Sequence, residues 1–222
     1  MSQLMIYSPI HKGIRNRLFR LSVEAGKLDI TDRQKVGNFK ADFSALVHNI
    51  IRHHELEDQF IHPLLADKVP GGAEKLEEEH RVAAHMMDNL VKYLDEIIAQ
   101  SSDYSNIQEL SLEFYLAYNR FITYFMEHIN TEEQHIQRAL WHLCKPEEIV
   151  AAVGKLQANQ EPELAMENIE MIITSVSLNE LTGILLQSKP NVPPEAFKKV
   201  LKIAERHLNA KEYAKLLSNI GV

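Results

Sequence analysis

A chain of 222 residues, 45% hydrophobic and 25% charged, suits one core-bearing domain or one domain with an extension. A net charge of -7 and the lack of any lysine- or arginine-rich run argue against a phosphate-binding surface, so no nucleic-acid partner is expected. The single cysteine, Cys144, excludes an internal disulfide and a thiolate metal cage, and apolar runs fall far short of the ~20 residues of a membrane span.

Met1–Ile10 shows no basic stretch followed by an apolar run, so no export signal and no membrane partner are expected, and the setting is read as cytoplasmic. Hydrophobic residues recur at three-and-four spacing and no stretch alternates like a strand, which predicts an all-α fold. Helix one runs from Ser8, as N-cap with Pro9 at the first helical position, to about Gly26. Lys27–Asp32 is a turn, with Thr31 and Gln34 resembling a capping box for helix two. Helix two reaches about Ala66, with Pro63 kinking or ending it. Val69-Pro70-Gly71-Gly72 is the clearest turn. Helix three spans Ala73–Gln100, Ser101–Asn106 is a polar turn, and helix four runs from Ile107 to Leu143. After Lys145-Pro146 shorter helical patterns follow, punctuated by Pro190, Pro193 and Pro194. The expected architecture is an antiparallel up-down four-helix bundle over 1–145. A helical C-terminal extension over 146–222 packs back on it, or offers a homodimer or protein-partner surface through Ala196–Leu208.

Eleven histidines stand out. Two segments, His53-x-x-x-Glu57 and His128-x-x-x-Glu132, place an imidazole and a carboxylate four residues apart, on one helix face. Such a pair alone is also an ordinary surface pair; register is what distinguishes these. In an antiparallel hairpin, residues equally far from the turn sit at one height. The midpoint between His11 and the His53/Glu57 pair is residue 33, beside the first turn; between that pair and His80 it is residue 67 or 68, at the edge of the second. Between His80 and the His128/Glu132 pair it is residue 105, inside the third. Three turns, read independently, therefore put His11, His53, Glu57, His80, His128 and Glu132 in one layer.

Six ligands exceed one tetrahedral zinc and suit two octahedral ions bridged by carboxylates; imidazole and carboxylate without thiolate favour iron, with manganese or zinc as substitutes. If Glu57 and Glu132 each bridge and an oxo or hydroxo group completes the pair, one position per metal stays open for O2, peroxide or NO. His54, Asp58, His62 and His85 point elsewhere on their helices and are expected at the surface or behind the ligands. His135 and His142 continue the His128 stripe in structural roles, and Tyr124, one turn before His128, is read as core. Ile14, Leu18, Ile50, Phe121 and Phe125 would keep the layer apolar. Trp141 has no readable role.

In Pro9-Ile10-His11, His53-x-x-x-Glu57 with Pro63 downstream, Glu79-His80 and His128-x-x-x-Glu132, residues 8 to about 143 resemble the hemerythrin-like, HHE cation-binding family. The resemblance implies a diiron centre held by those positions that binds or senses O2, NO or peroxide, a metal-binding role rather than turnover. Diiron peroxidase or oxidase chemistry, iron handling and iron-centre repair are the alternatives it leaves. The oxygen carriers of that family have a second third-helix histidine, where this chain has Ala84, and its repair members carry paired N-terminal cysteines that are absent here. The Glu-x-x-His pairs Glu77/His80 and Glu132/His135 fall on adjacent helices, which is not the ferritin-like distribution, and no His-Glu-x-x-His protease motif occurs.

Overall fold

The computed structural model describes residues 4–99, 104–190 and 192–222, with the side chains of 104–106 excepted. All regular structure among them is helical, and no helix among them is long and apolar enough to cross a membrane. The chain forms two compact units: 1–7 with 15–159, and 8–14 with 160–222.

The first unit is built on four long stretches, the first of which also supplies residues 8–14 of the second unit. Helix α1 (Ser8–Ala25) begins one residue earlier than expected: Tyr7 holds the N-cap position and Ser8 is already helical. Helix α2 (Arg33–Phe60) is capped by Asp32, not Thr31. The Asp32 carboxylate accepts from the backbone of Gln34 and Lys35, both at 3.1 Å, while the Thr31 hydroxyl donates back to Asp29 at 2.7 Å. A cap of this kind contributes about 1 kcal/mol. Pro63 cannot donate to the ladder, and α2 stops at Phe60; a five-residue helix α3 (His62–Ala66) restarts beyond Ile61. The Val69–Gly72 turn needs Gly71 at φ 75, a left-handed conformation that glycine adopts without a Cβ penalty.

Helix α4 (Glu74–Ala99) follows, then α5 (Tyr104–Thr131). The start of the expected Ser101–Asn106 turn lies outside the described residues, and α5 is under way by Tyr104. The fourth stretch is not one continuous α-helix. At Glu132–Ile136 it widens into a π-turn, in which the Gln137 N–H reaches the Glu132 carbonyl, and α6 (Gln137–Leu143) resumes the tighter winding. Helix α7 (Pro146–Ala158) packs on α2 and completes the unit.

Side-chain pairs fix the directions. Lys40 with Asp95 and Asp58 with His80 run α4 antiparallel to α2; Phe39 with Phe114, Phe43 with Tyr118 and His54 with Phe125 run α5 parallel to α2 and so antiparallel to α4. The Tyr118 hydroxyl donates to the Leu18 carbonyl at 3.0 Å and Arg15 grips Glu133 and Asn130, so α1 lies antiparallel to α5. An aromatic column of Phe39, Phe43, Phe114, Tyr118, Phe121 and Phe125 fills the interior between α2 and α5. A second apolar cluster, around Tyr7, Ile61, Leu65, Leu76 and Leu140, gathers α3, α4, α6 and the entering chain. Trp141, unreadable in sequence, donates its indole N–H to the Leu4 carbonyl at 3.0 Å, and Gln137 accepts from the Ile6 N–H at 2.7 Å.

The second unit joins α8 (Pro162–Ile173), α9 (Leu178–Ser188), α10 (Pro194–His207) and α11 (Ala210–Ile220) around Leu181, Leu185, Ala204 and Leu216. Its close approach is at Gly13, where an added Cβ would stand 2.8 Å from that of Met171. Lys12 pairs with Glu180, which also caps α9 with Ser177; these partners hold the Glu180 carboxyl down at about 2.

Candidate metal centre

Polar groups interrupt the apolar interior of the first unit at one depth. On α2, the imidazole of His53 lies with its Nε2 3.2 Å from Glu57 Oε1, as four-residue spacing dictates. The other carboxylate oxygen of Glu57, Oε2, faces His80 Nε2 from α4 at 3.8 Å. Glu57 thus looks both ways. From α5, His128 Nε2 stands 3.5 Å from Glu132 Oε2 and 3.1 Å from His80 Nε2. Oxygen Oε1 of Glu132 is flanked by His80 Nε2 at 3.8 Å and by His62 Nε2 at 3.6 Å.

Three of these imidazoles are aimed from behind. Asp58 Oδ1 accepts from His62 Nδ1 at 2.8 Å and from His80 Nδ1 at 2.9 Å; Glu79 Oε2 accepts from His128 Nδ1 at 2.9 Å. With a proton held on Nδ1, the lone pair on Nε2 is turned inward, the arrangement by which carboxylates orient metal-binding histidines. Donor atoms fall into overlapping groups able to hold an ion: His11, His53 and Glu57; Glu57, His62, His80 and Glu132; and His54, His80 and His128. His11 stands in the first of these, one turn before Arg15 on the unbroken α1.

The electrostatics of the metal-free protein are costly. Burial, then repulsion from Glu132 and Asp58, pushes the Glu57 carboxyl well above its usual range. Burial lowers His54 far below an ordinary histidine, reinforced by its imidazole neighbours, and lowers His128 as well. Burial also acts against His62, but its hydrogen bond to Asp58 and the charge of Glu132 carry it up to about 9, and the same partners raise His80. The Nε2 atoms of His54 and His62 are buried without a hydrogen-bond partner. Near-total burial of two carboxylates among inward-facing imidazoles fits divalent cations, because an ion supplies the charge and the acceptors' partner together.

The six residues named from register all lie in this layer. His11, Glu57, His80, His128 and Glu132 are buried and His53 is nearly so. His85 is exposed, as expected; His135 and His142, expected in structural roles along the His128 stripe, are exposed as well. Tyr124 is half-buried and its hydroxyl donates to the Glu79 carbonyl at 3.5 Å. The correction concerns His54 and His62, which do not face outward: both are buried among the donors. His54 stacks on His80 with ring centroids 3.8 Å apart and planes 5° from parallel, its other side against Phe125. Glu79, next to His80 in the chain, is turned in to His128. The readable signals were Asp58-x-x-x-His62, a helical pair like the two already noted, and the adjacency of Glu79 to His80.

A family model for the hemerythrin HHE cation-binding domain matches residues 7–140. The chain belongs to that family. No curated protein and no solved structure matches it.

Proposed function

We propose that the first unit is a four-helix bundle holding two iron ions, and that the pair binds or senses a small exogenous ligand such as O2, NO or peroxide. The observation that carries this reading is the position of Glu57, which belongs to two donor groups and offers one oxygen to His53 and the other to His80. A carboxylate so placed suits a bridge between two ions. His11 and His53 would hold one ion, His80 and His128 the other, with Glu132 as second carboxylate. A bound iron pair would supply electrons and open positions for the ligand. The protein supplies the apolar walls of Ile50, Phe121 and Phe125, which exclude water, and the carboxylates that aim the imidazoles. Manganese or zinc fits the same donors. A cytoplasmic location accords with the one buried, unpaired thiol, Cys144.

Tyr7 is a buried phenol of this interior, and burial followed by the charges of Glu132 and Glu57 raises its pKa, so in the metal-free protein it holds its proton. A phenol of that kind can donate a hydrogen bond but is a poor acid. Anaerobic reconstitution with Fe(II), followed by air, NO or peroxide in separate samples, tests the reading. Charge-transfer bands of an oxo-bridged pair on exposure to air, or a nitrosyl signature with NO, support it. A spectrum unmoved by all three removes it.

A further inference from the structure

The four imidazoles of the proposed diiron site leave two buried histidines without a task, His54 and His62. They differ in what they can reach. A metal lies in the plane of each imidazole that binds it, on the lone-pair side of the ring nitrogen. Two rings stacked 3.8 Å apart with planes 5° from parallel aim their lone pairs side by side, so although the donor atoms of His54, His80 and His128 lie close together, His54 is poorly set to share an ion with His80. It also groups with no carboxylate. Its place is that of a packing ring between His80 and Phe125.

His62 stands differently. Its ring is 5.2 Å from that of His80 with planes 25° apart, a wider splay than that of His54, and its Nε2 faces the same Glu132 oxygen that His80 faces. It forms one donor group with Glu57, His80 and Glu132, all buried. Its Nδ1 is held at 2.8 Å by the very oxygen of Asp58 that holds His80, so a single carboxylate aims two imidazoles into one site. Among the described residues its buried Nε2 has no hydrogen-bond partner, the Glu132 oxygen standing 3.6 Å away. Ile61, between α2 and α3, keeps an α-region backbone, so His62 follows Asp58 at the four-residue spacing that brings its Nδ1 to that carboxylate.

Resting on the diiron reading, we infer that His62 is a fifth imidazole ligand, bound through Nε2 to the ion of His80 and His128, with Asp58 as the residue that positions both. That ion then has five side-chain donors, His62, His80, His128, Glu57 and Glu132, while its neighbour has His11, His53 and Glu57. Of six octahedral positions, the first ion has at most one to spare. An exogenous ligand therefore enters at the His11/His53 ion.

The test is a count of ligands in the cobalt(II)-loaded full chain. Each imidazole bound through Nε2 keeps an exchangeable Nδ1 proton, which the paramagnetic ion shifts far outside the ordinary proton NMR range. Five such signals are expected among His11, His53, His62, His80 and His128 if all bind through Nε2, with one lost in His62→Phe. The same substitution should weaken the cobalt held by His80 and His128 by roughly 100-fold or more, beyond the loss from removing a supporting partner, and leave the one at His11 and His53 unchanged. A wild-type protein that takes up no pair of ions overturns the diiron reading and this inference with it. Two bound ions with four shifted signals, or five signals that survive in His62→Phe, overturn the role of His62 alone. Should the variant misfold, the wild-type count still decides.

Discussion

Asp58 offers the sharpest separation between stability and function. Its Oδ1 accepts from His62 Nδ1 at 2.8 Å and from His80 Nδ1 at 2.9 Å, so Asp58→Ala releases two imidazoles at once. Loss of one carboxylate behind a metal-binding histidine lowers affinity by about 10–100-fold, or ~1.4–2.7 kcal/mol. Two such bonds on one oxygen act on the same ion and do not add fully, which places Asp58→Ala at roughly 100–1000-fold, or ~2.7–4 kcal/mol. In the metal-free protein the same carboxylate is 36% exposed, so its pairing with the histidines is screened and contributes about 1 kcal/mol to folding. Asp58→Asn keeps an acceptor oxygen at the same place and should lose less affinity than Asp58→Ala. Competition against a chelator of known affinity measures the first quantity and urea unfolding of metal-free protein the second. An Asp58→Ala protein whose metal affinity stays within threefold of wild type, or falls no more than its stability, would refute the reasoning.

Glu57→Gln carries an opposite pair of signs. With the Glu57 carboxyl raised by burial and by Glu132, its charge costs stability once pH passes the unfolded value near 4.5, and the cost grows as pH rises toward the folded value. The amide should therefore stabilise the metal-free protein, more at pH 8 than at pH 5, while both ions are lost together; a variant that melts lower, or keeps one ion at full affinity, contradicts the bridging role. His62 titrates at about 9 in the metal-free protein, so the stability it contributes is complete below the unfolded value of 6.5 and disappears as pH climbs through 9. Because a metal must displace that proton, apparent affinity should climb about tenfold per pH unit for each proton released between 6.5 and 9. Isothermal titration at three pH values checks this, and a flat affinity would count against it. In the second unit, Gly13→Ala gains about 1 kcal/mol of helix propensity but forces a Cβ to 2.8 Å from that of Met171, so a net loss of about 1–2 kcal/mol is expected in chemical unfolding; a stabilised variant would show the contact to be slack.

Much of the fold was legible because helical periodicity and strong breakers agree. The three-and-four spacing, the Val69–Gly72 turn with its left-handed Gly71 and the interruption at Pro63 each follow from local chemistry, and the described elements match them to within a few residues. The caps were less legible, since Asp32 and Thr31 are both competent and only the loop's path chooses between them. Nothing local marked the π-turn at Glu132, where Arg15 on α1 draws Glu133 outward and Gln137 turns in toward Leu4 and Ile6, contacts made across more than a hundred residues.

The histidines show the limit more clearly. A single-face view of α2 selects His53 and Glu57 and sends His54 away by about 100°. That view fails because α2 has neighbours on two sides, with His54 meeting His80, His128 and Phe125. For His62 the telling signal is the pairing with Asp58 four residues back, a carboxylate that also meets His80. Asp58, expected at the surface or behind the ligands, stands behind His62 and His80, while Glu79, one residue before His80, supports His128 in the same way.

The most direct measurement is iron per folded chain. Protein reconstituted anaerobically with excess Fe(II) and then desalted should retain two irons per chain, and a chelator should lower its thermal midpoint as mass action requires. Retention of one iron or none, with the fold intact, would contradict the proposal that imidazoles and carboxylates from all four long stretches converge on a pair of ions.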